Sequence, residues 1–385
     1  MIHRGLIQTV LGPIAPESLG LTLMHEHVLL DLTQGAGSPD EVFDFTESTK
    51  RASRIPEAGF EPGEDGPGTA ATWRARWQQP ICLANRADVA RNWLYYGTYK
   101  IDDIDQVIYE ANLFKRFGGG CLVDQTSIGM GRDPLGLQRI ARATGVQIVM
   151  GTSYYTHEYH PPHVGEMDID ELRERIARDI DGGLTGGVHA GIIGEVGLSF
   201  PMHPNEEKVL RASTRAQRDT GAPLSIHPGI NARSPWDAIK VVEQEGGDLD
   251  RTIMCHVEQR LPVRPAPHSF DPAPFVDLAG TGVYLELDSF GWEESFRQRG
   301  RVDLPNDAVR LNHIIALVEA GYGSRVLMSH DIALKHWQRQ FGGHGWQHIP
   351  ESVTALMRYK GFDQALIDRI LIRNPRDILT IAGAG

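Results

Sequence analysis

The sequence predicts an α/β protein whose parallel strands close into a (β/α)8 barrel, the TIM barrel, with a long insertion after the first strand. Three observations lead to this expectation. Short runs rich in Val, Ile and Leu recur along the 385 residues, eight such runs can be counted, and helical periodicity follows most of them. An open doubly wound sheet is the alternative, but it favours a glycine-rich phosphate loop after the first strand, and none is there.

The predicted strands are apolar runs bounded by turn-forming residues. They are Leu21–Leu30, Cys121–Ser127, Gln147–Ser153, Gly191–Ser199, Pro223–Pro228, Thr252–Val257, Gly282–Phe290 and Arg325–Asp331. The clearest helical patterns between them are Asp102–Phe117, Asp170–Asp181, Asn205–Thr220, Trp236–Gln244 and Asp307–Ala320. In such a barrel the active site lies at the C-terminal ends of the strands.

Residues 32–99 break this alternation. The segment is rich in Gly and Pro, and it also carries Trp73, Trp77, Trp93, Tyr95, Tyr96 and Tyr99. Aromatic residues at that density disfavour disorder. We therefore expect a partly helical insertion that packs over the barrel mouth, within one barrel domain spanning residues 1–385. A mobile linker is the alternative.

Composition excludes several classes of function. The net charge is −12 and no basic run occurs, which argues against binding of nucleic acid or of an anionic membrane surface. No apolar run reaches the roughly 18 residues of a membrane span, and no secretory signal is visible. The cysteines are Cys82, Cys121 and Cys255, an odd number without paired spacing. A cytoplasmic protein without a disulfide framework is expected.

Two histidines interrupt the first apolar strand, at His25 and His27. Side chains alternate along a strand, so both rings point to the same face. Two imidazoles in a packed interior are costly unless they are bonded, and a shared metal ion is a common solution. Surface histidines on an edge strand are the alternative for this motif taken alone.

Further ionisable residues stand at the ends of other strands. They are Glu195, His227, His256 and Asp331, each after an apolar run. In a barrel these positions converge on one pocket. Four imidazoles and two carboxylates exceed the ligand set of one tetrahedral zinc, and they suit two divalent ions bridged by a carboxylate and a hydroxide. Such a site would keep roughly one positive charge for an oxyanion in the transition state.

This constellation resembles the amidohydrolase superfamily, and within it the phosphotriesterase family and its phosphotriesterase-related branch. The matching motifs cover nearly the whole chain outside the insertion. They are Val10–Ile14, Leu23–His27, Val123–Ser127 with Gly131–Asp133, Ile193–Gly197, Ser225–His227, Glu286–Gly291, Ser329–Asp331 and Asn374–Pro375.

The resemblance implies a role for each ligand. His25, His27 and Asp331 would hold the more buried ion, His227 and His256 the more exposed one, and residue 195 would bridge both. Phosphotriesterases and related lactonases bridge with a carbamylated lysine, whereas this chain has Glu195. Efficient hydrolysis of phosphotriesters is therefore not expected.

Other polar residues have less specific expectations. Asp331 is the expected catalytic acid–base, and Asp288 either relays its proton or orients a metal ligand. Tyr154 and Tyr155 are candidate substrate residues, and so is Arg260, which suits a carboxylate or phosphate. His330 is expected to be structural, and Glu26 is expected to point out of the barrel.

The expected function follows from these assignments. The chain should hydrolyse ester-type bonds, lactones or carboxylic esters first and amides next, by attack of a metal-bridging hydroxide. Zinc is the first expectation for both ions, with Mn or Co as alternatives. The expected partner is a small-molecule substrate, and a homodimer stays open. The rival hypothesis is a metal-containing small-molecule binding protein with little or no turnover.

Overall fold

Eight parallel strands form a near-closed barrel. The structure is a computed structural model that describes residues 4–34, 75–92, 95–261, 271–293 and 304–383. Each strand pairs with the next one along the chain. In chain order the strands are β1 (Leu21–Glu26), β2 (Gly119–Asp124), β3 (Gln147–Thr152), β4 (Ile192–Gly197), β5 (Leu224–His227), β6 (Thr252–Met254), β7 (Tyr284–Leu287) and β8 (Val326–Met328). The predicted TIM barrel is confirmed.

The last and first strands meet through individual hydrogen bonds. Among the described strands, β8 and β1 share no ladder. Instead, the backbone N–H of His25 donates to Ser329 Oγ at 2.9 Å, and the N–H of Asp331 donates to the carbonyl of His25 at 3.0 Å. This seam therefore lies where two of the predicted metal ligands stand.

Helices surround the barrel, as the periodicity predicts. They are α1 (Arg86–Asn92), α2 (Ile104–Arg116), α3 (Pro134–Thr144), α4 (His163–Glu166), α5 (Ile169–Asp181), α6 (Pro204–Thr220), α7 (Ser234–Gln244), α8 (Val257–Arg260), α9 (Ala273–Ala279), α10 (Asp307–Glu319), α11 (Thr354–Tyr359), α12 (Gln364–Asp368) and α13 (Asn374–Leu379). The five predicted helices correspond to α2, α5, α6, α7 and α10. None of the described helices is long and apolar enough to cross a membrane.

Alternation along the strands divides the core into two layers. Leu122, Ile148 and Leu285 face the helices, within the larger apolar cluster. Their neighbours Val123 and Val149 belong to a second cluster inside the barrel. Residues of the N-terminal segment and of α13 join that inner cluster, so the end of the barrel opposite the predicted site is filled with apolar side chains.

The insertion leaves and rejoins the barrel through a short antiparallel ladder. Leu30–Asp31 pairs with Lys100–Ile101, and the N–H of Leu32 donates to the carbonyl of Tyr99 at 2.8 Å. Near its end Trp77 is buried and lies against Tyr96, with ring centroids 5.5 Å apart. Trp73, Trp93 and residues 35–74 lie outside the described residues. The arrangement of the insertion over the barrel mouth therefore stays a prediction.

Candidate metal centre

The six predicted ligands converge at the C-terminal end of the barrel. Glu195 lies at the centre of the group. Its Oε1 is 3.4 Å from His27 Nε2, and its Oε2 is 3.5 Å from His25 Nε2, 2.9 Å from His227 Nδ1 and 3.6 Å from His256 Nε2. Asp331 Oδ1 lies 3.3 Å from His27 Nε2.

The order of side chains along β1 explains how both histidines reach the interior. Met24 already belongs to the inner apolar cluster, so strict alternation would turn His25 outward. The register against β2 shifts between Leu23 and Glu26. This irregularity allows His25 to follow Met24 on the inner side, and a bulge is a common device for aiming a side chain near an active site.

Two ligands sit in the left-handed backbone region. His256 has φ 55° and Asp331 has φ 51°, and both follow the last paired residue of a strand. Such conformations are uncommon for residues other than glycine and cluster at functional sites.

Glu195 is held by its backbone as well as by its neighbours. Its N–H donates to the carbonyl of Gln125 at 3.1 Å, and its carbonyl accepts from Ser127 Oγ at 2.5 Å. The preceding Gly194 has φ 153°, and a Cβ there would lie 2.7 Å from the Cβ of Ser225. Only glycine therefore lets β4 approach β5 this closely.

The histidines turn one nitrogen to the centre and the other to a supporting group. His27 Nδ1 lies 3.0 Å from Thr126 Oγ1, which donates to Asp124 Oδ1 at 3.0 Å. His256 Nδ1 lies 2.7 Å from Asp288 Oδ1, and the same aspartate accepts from the His256 N–H at 2.9 Å. Partners of this kind fix the tautomer and orientation of metal-ligating histidines.

His25 provides a test of whether the site fits a metal ion. The ring is fully buried, yet neither of its nitrogens has a hydrogen-bond partner. Its Nδ1 lies 3.3 Å from Asp288 Oδ2 and 3.5 Å from Glu286 Oε2. The donor atoms of His25, His27 and Asp331 lie within 4.8 Å of one another, and so do those of His25, Glu195 and His256. Imidazole and carboxylate donors in this arrangement fit divalent ions such as zinc.

The charges of the site reinforce this fit. Burial lowers the pKa of His27, but Asp331 and Glu195 outweigh it and raise that pKa to about 9. Burial also lowers the pKa of His256, but the nearby Asp288 outweighs this effect and raises that pKa to about 9. Burial raises the pKa of Glu195, whereas His25 and His227 bring it well below its usual range. The carboxylates thus create a site that attracts positive charge.

Glu26 points away from the centre, as predicted, and holds the segment around Asp331. Its Oε1 accepts from the His330 N–H and lies 2.9 Å from His330 Nδ1. Its Oε2 accepts from the Ile332 N–H at 3.1 Å and from Trp346 Nε1 at 3.0 Å. The residues on both sides of Asp331 are therefore bonded to the residue between His25 and His27.

A cavity of about 210 Å³ opens onto the ligands. Its walls include Leu32, Tyr99, Met130, Tyr155, Tyr159, Gln259, Arg260, Trp292, Ala333, Leu334 and Trp337. Tyr155 and Arg260 therefore line the cavity, and their contact with a substrate stays a prediction. Tyr154 does not line the cavity: it is fully buried in the outer apolar layer, and its hydroxyl lies 2.9 Å from His163 Nε2. The expectation that Tyr154 lines the substrate site is wrong: Ile148 and Met150 of β3 belong to the same outer layer, so alternation of side chains places Tyr154 outward and Tyr155 toward the cavity.

Asp288 is buried and does not line the cavity. Both of its oxygens face His256, and one also faces His25. Burial raises its pKa, but these histidines bring it well below the usual range, so it is an anion. This geometry fits the orienting role better than the proton relay, which stays a prediction.

Sequence reasoning missed several residues of the site. Glu286 lies beside His25 and Thr126 lies beside His27. Both residues belong to motifs that resemble the phosphotriesterase family, but no role was assigned to either residue from the sequence. Tyr159, Trp292 and Trp337 come from loops, and no periodicity indicated that they reach the cavity. An aromatic residue near a strand end selected Tyr154 as readily as Tyr155, whereas the alternation of side chains along β3 distinguishes the two residues.

Comparison with known sequences agrees with this geometry. The profile of the phosphotriesterase family matches residues 5–379. A phosphotriesterase-related protein from Nematostella vectensis is 33% identical over 382 residues, covering 98% of this chain and 99% of that protein. An N-acetyltaurine hydrolase from Xenopus tropicalis is 32% identical over 381 residues, covering 98% of each.

Solved structures give the same result. A resiniferatoxin-binding protein from Rhodobacter sphaeroides is 30% identical with a TM-score of 0.82, covering 98% of this chain and 96% of that one. A lactonase from Listeria monocytogenes is 22% identical with a TM-score of 0.71, covering 98% and 100%, which supports the fold alone. The chain belongs to the phosphotriesterase family, as its motifs predicted.

Proposed function

We propose that the chain hydrolyses small carbonyl compounds at a centre of two divalent ions held by His25, His27, Glu195, His227, His256 and Asp331. One observation carries this proposal: five of the six residues line one cavity, and the sixth, His25, is buried beside them with no hydrogen-bond partner for either ring nitrogen. Zinc is the first choice for both ions because imidazole suits it, with Mn and Co as alternatives.

The bound ions would supply a nucleophilic water at neutral pH and polarise the oxygen of the scissile group. The chain's own residues supply the rest. Asp331 is only 7% exposed and lines the cavity, so its carboxylate can accept a proton from the attacking water. Asp288 keeps His256 in a fixed tautomer and orientation.

The proposed scissile bond is a carboxylic ester or lactone, with amides close behind. Relatives named N-acetyltaurine hydrolase, about 31–32% identical over 98% of this chain, support including the amide class, since N-acetyltaurine is an amide. Phosphotriesters are at most promiscuous substrates, because a glutamate stands at residue 195.

The test is a hydrolysis screen of the metal-loaded protein against acyl esters, lactones and N-acyl amides including N-acetyltaurine. We expect turnover of at least one class, with loss of turnover after chelation and recovery after metal is restored. Turnover that survives complete removal of metal would contradict the proposal.

A second candidate function is binding of a small molecule with little turnover. The observation that favours it is the similarity to a protein named for binding resiniferatoxin. Saturable binding without hydrolysis across all three substrate classes would support this candidate over the first.

A further inference from the structure

Arg260 is a buried cation in the wall of the cavity. It belongs to the short helix α8, directly after the ligand His256, and is 7% exposed. Its Nε donates to the carbonyl of Pro228 at 2.9 Å, and its Nη1 donates to Gln259 Oε1 at 3.1 Å. These two bonds fix the plane of the guanidinium group and leave Nη2 beside His227.

The carboxylates of Asp288, Glu258 and Asp331 act on the charge of Arg260 only from beyond ion-pair distance. No carboxylate in the described part of the chain lies within ion-pair distance of Arg260, whereas the fully buried Arg310 and the partly buried Arg132 are both paired. Arg310 lies 2.8 Å from Asp307, and Arg132 lies 2.9 Å from Asp179. A buried charge is costly unless it is paired, so an unpaired one beside a cavity indicates that the counterion comes with a ligand.

The contact between Arg260 and His227 supports the same conclusion. Nη2 lies 3.4 Å from His227 Nε2, and Tyr155 Oη lies 3.4 Å from the same nitrogen. The other ring nitrogen, Nδ1, faces Glu195. If Nδ1 serves as a metal ligand, Nε2 carries the ring proton and is a donor, so it cannot accept from Arg260. Three donor groups then face the same region of the cavity.

We propose that Arg260, together with His227 Nε2 and Tyr155 Oη, binds a carboxylate or sulfonate group of the substrate, so that the enzyme prefers carbonyl compounds carrying an organic oxyanion. The planar fork of arginine matches the oxygens of such groups. The aromatic side chains of Tyr159 and Trp292 line the same cavity and supply apolar contacts for the rest of the molecule. This inference rests on the proposed function for the identity of the reacting bond, but its binding step is separable.

The test measures binding of three compounds that share an N-acetylaminoethyl group. N-acetyltaurine carries a sulfonate, N-acetyl-β-alanine carries a carboxylate, and N-acetylethanolamine is neutral. Dissociation constants are measured by calorimetry on the metal-loaded Asp331→Asn protein, where turnover is suppressed, and again with Arg260→Gln or Arg260→Lys added. Arg233→Gln is the matched control, because its side chain is 76% exposed and it removes the same charge outside the cavity.

We expect one or both anions to bind at least about 10-fold more tightly than the neutral compound. Arg260→Gln should weaken the preferred anion by about 10- to 100-fold and leave the neutral compound unchanged. Arg260→Lys should restore part of the loss, since it returns the charge without the fork, and Arg233→Gln should have no effect. Three results would each overturn the inference. They are equal affinities for the three compounds, no binding of either anion, and an equal loss of affinity for anion and neutral compound in Arg260→Gln.

The outcomes separate this inference from the proposed function. Hydrolysis of neutral esters without an anion preference would sustain the function and refute the role of Arg260. If anions bind in a manner that depends on Arg260 but the wild-type protein hydrolyses nothing, the role of Arg260 is supported and the proposed function is refuted.

Discussion

Glu26 and His330 share a buried contact of 2.9 Å from Oε1 to Nδ1 that ties β1 to the segment carrying Asp331. His330 Nε2 accepts a hydrogen bond from the N–H of Ile349 at 3.1 Å, so the ring proton stands on Nδ1 and is donated to Glu26. Glu26 is an acceptor for every group around it. It is a positioning residue for Asp331, although it faces away from the metal ligands.

Glu26→Gln should weaken metal binding without removing any ligand. The amide nitrogen of glutamine would face an N–H donor on either side, so the segment around Asp331 would shift. We expect metal affinity to fall by about 10- to 100-fold, the usual cost of losing a supporting partner. Competition with a chromogenic chelator measures this affinity.

The matched control is Glu110→Gln. Glu110 is equally buried and accepts the N–H groups of Arg339 and Gln340, but it contacts no metal ligand. It should lower thermal stability while metal affinity stays at the wild-type value. Equal losses of affinity in both variants would show that Glu26 acts only through global stability.

Asp331→Asn should retain the fold and lose most of the activity. Asparagine tolerates the left-handed backbone found here better than most residues, but its amide cannot accept the proton from water. We expect kcat to fall by about 10²- to 10⁴-fold. The measurement is kcat at matched metal content, and near-normal turnover with full metal would assign the proton transfer to another group.

Metal loading of the wild-type protein should be indifferent to bicarbonate, because Glu195 is an anion without carbamylation. Glu195→Gln removes the central charge and should lose at least one ion per chain. Glu195→Lys should regain metal poorly even with bicarbonate, since β4 and β5 are spaced for the shorter side chain. Elemental analysis with and without bicarbonate tests all three proteins. A wild type that requires bicarbonate would show that residue 195 is not the bridge.

Tyr154 and Tyr155 form an adjacent pair with different expected roles. Tyr155→Phe removes the hydroxyl beside His227 and should raise KM or change substrate preference. Tyr154→Phe removes only the contact with His163, so KM should stay unchanged and unfolding free energy should fall by about 1 kcal/mol. Steady-state kinetics and thermal unfolding of both variants distinguish these roles. An altered KM in Tyr154→Phe alone would reverse the assignment.

The fold and the convergence of the candidate ligands could be predicted from the sequence for a common physical reason. A charged residue at the end of an apolar strand is conspicuous, and parallel strands bring their C-terminal ends together. His227 and Asp331 were therefore predicted from local pattern alone. The outward direction of Glu26 followed from its place between two inward ligands.

The supporting contacts were not accessible in this way. The groups that donate hydrogen bonds to Glu26 lie about 300 residues further along the chain, so no local sequence pattern predicts these contacts. His25 lies on the inner side directly after Met24 because the register of β1 against β2 shifts, and strict alternation does not predict this irregularity. Such details arise from tertiary contacts, which override local periodicity.

A metal ion at the proposed centre would hold β8 and β1 together at the seam of the barrel. His25 and Asp331 stand on opposite sides of this seam. One main-chain hydrogen bond joins them, from the N–H of Asp331 to the carbonyl of His25, in place of a ladder. An ion that binds both side chains would cross-link the first and last strands, some 300 residues apart in sequence. Chelation should then speed amide hydrogen exchange at the seam first, while the strands opposite it remain protected. Binding of an ion at the proposed centre would therefore also stabilise the closed barrel.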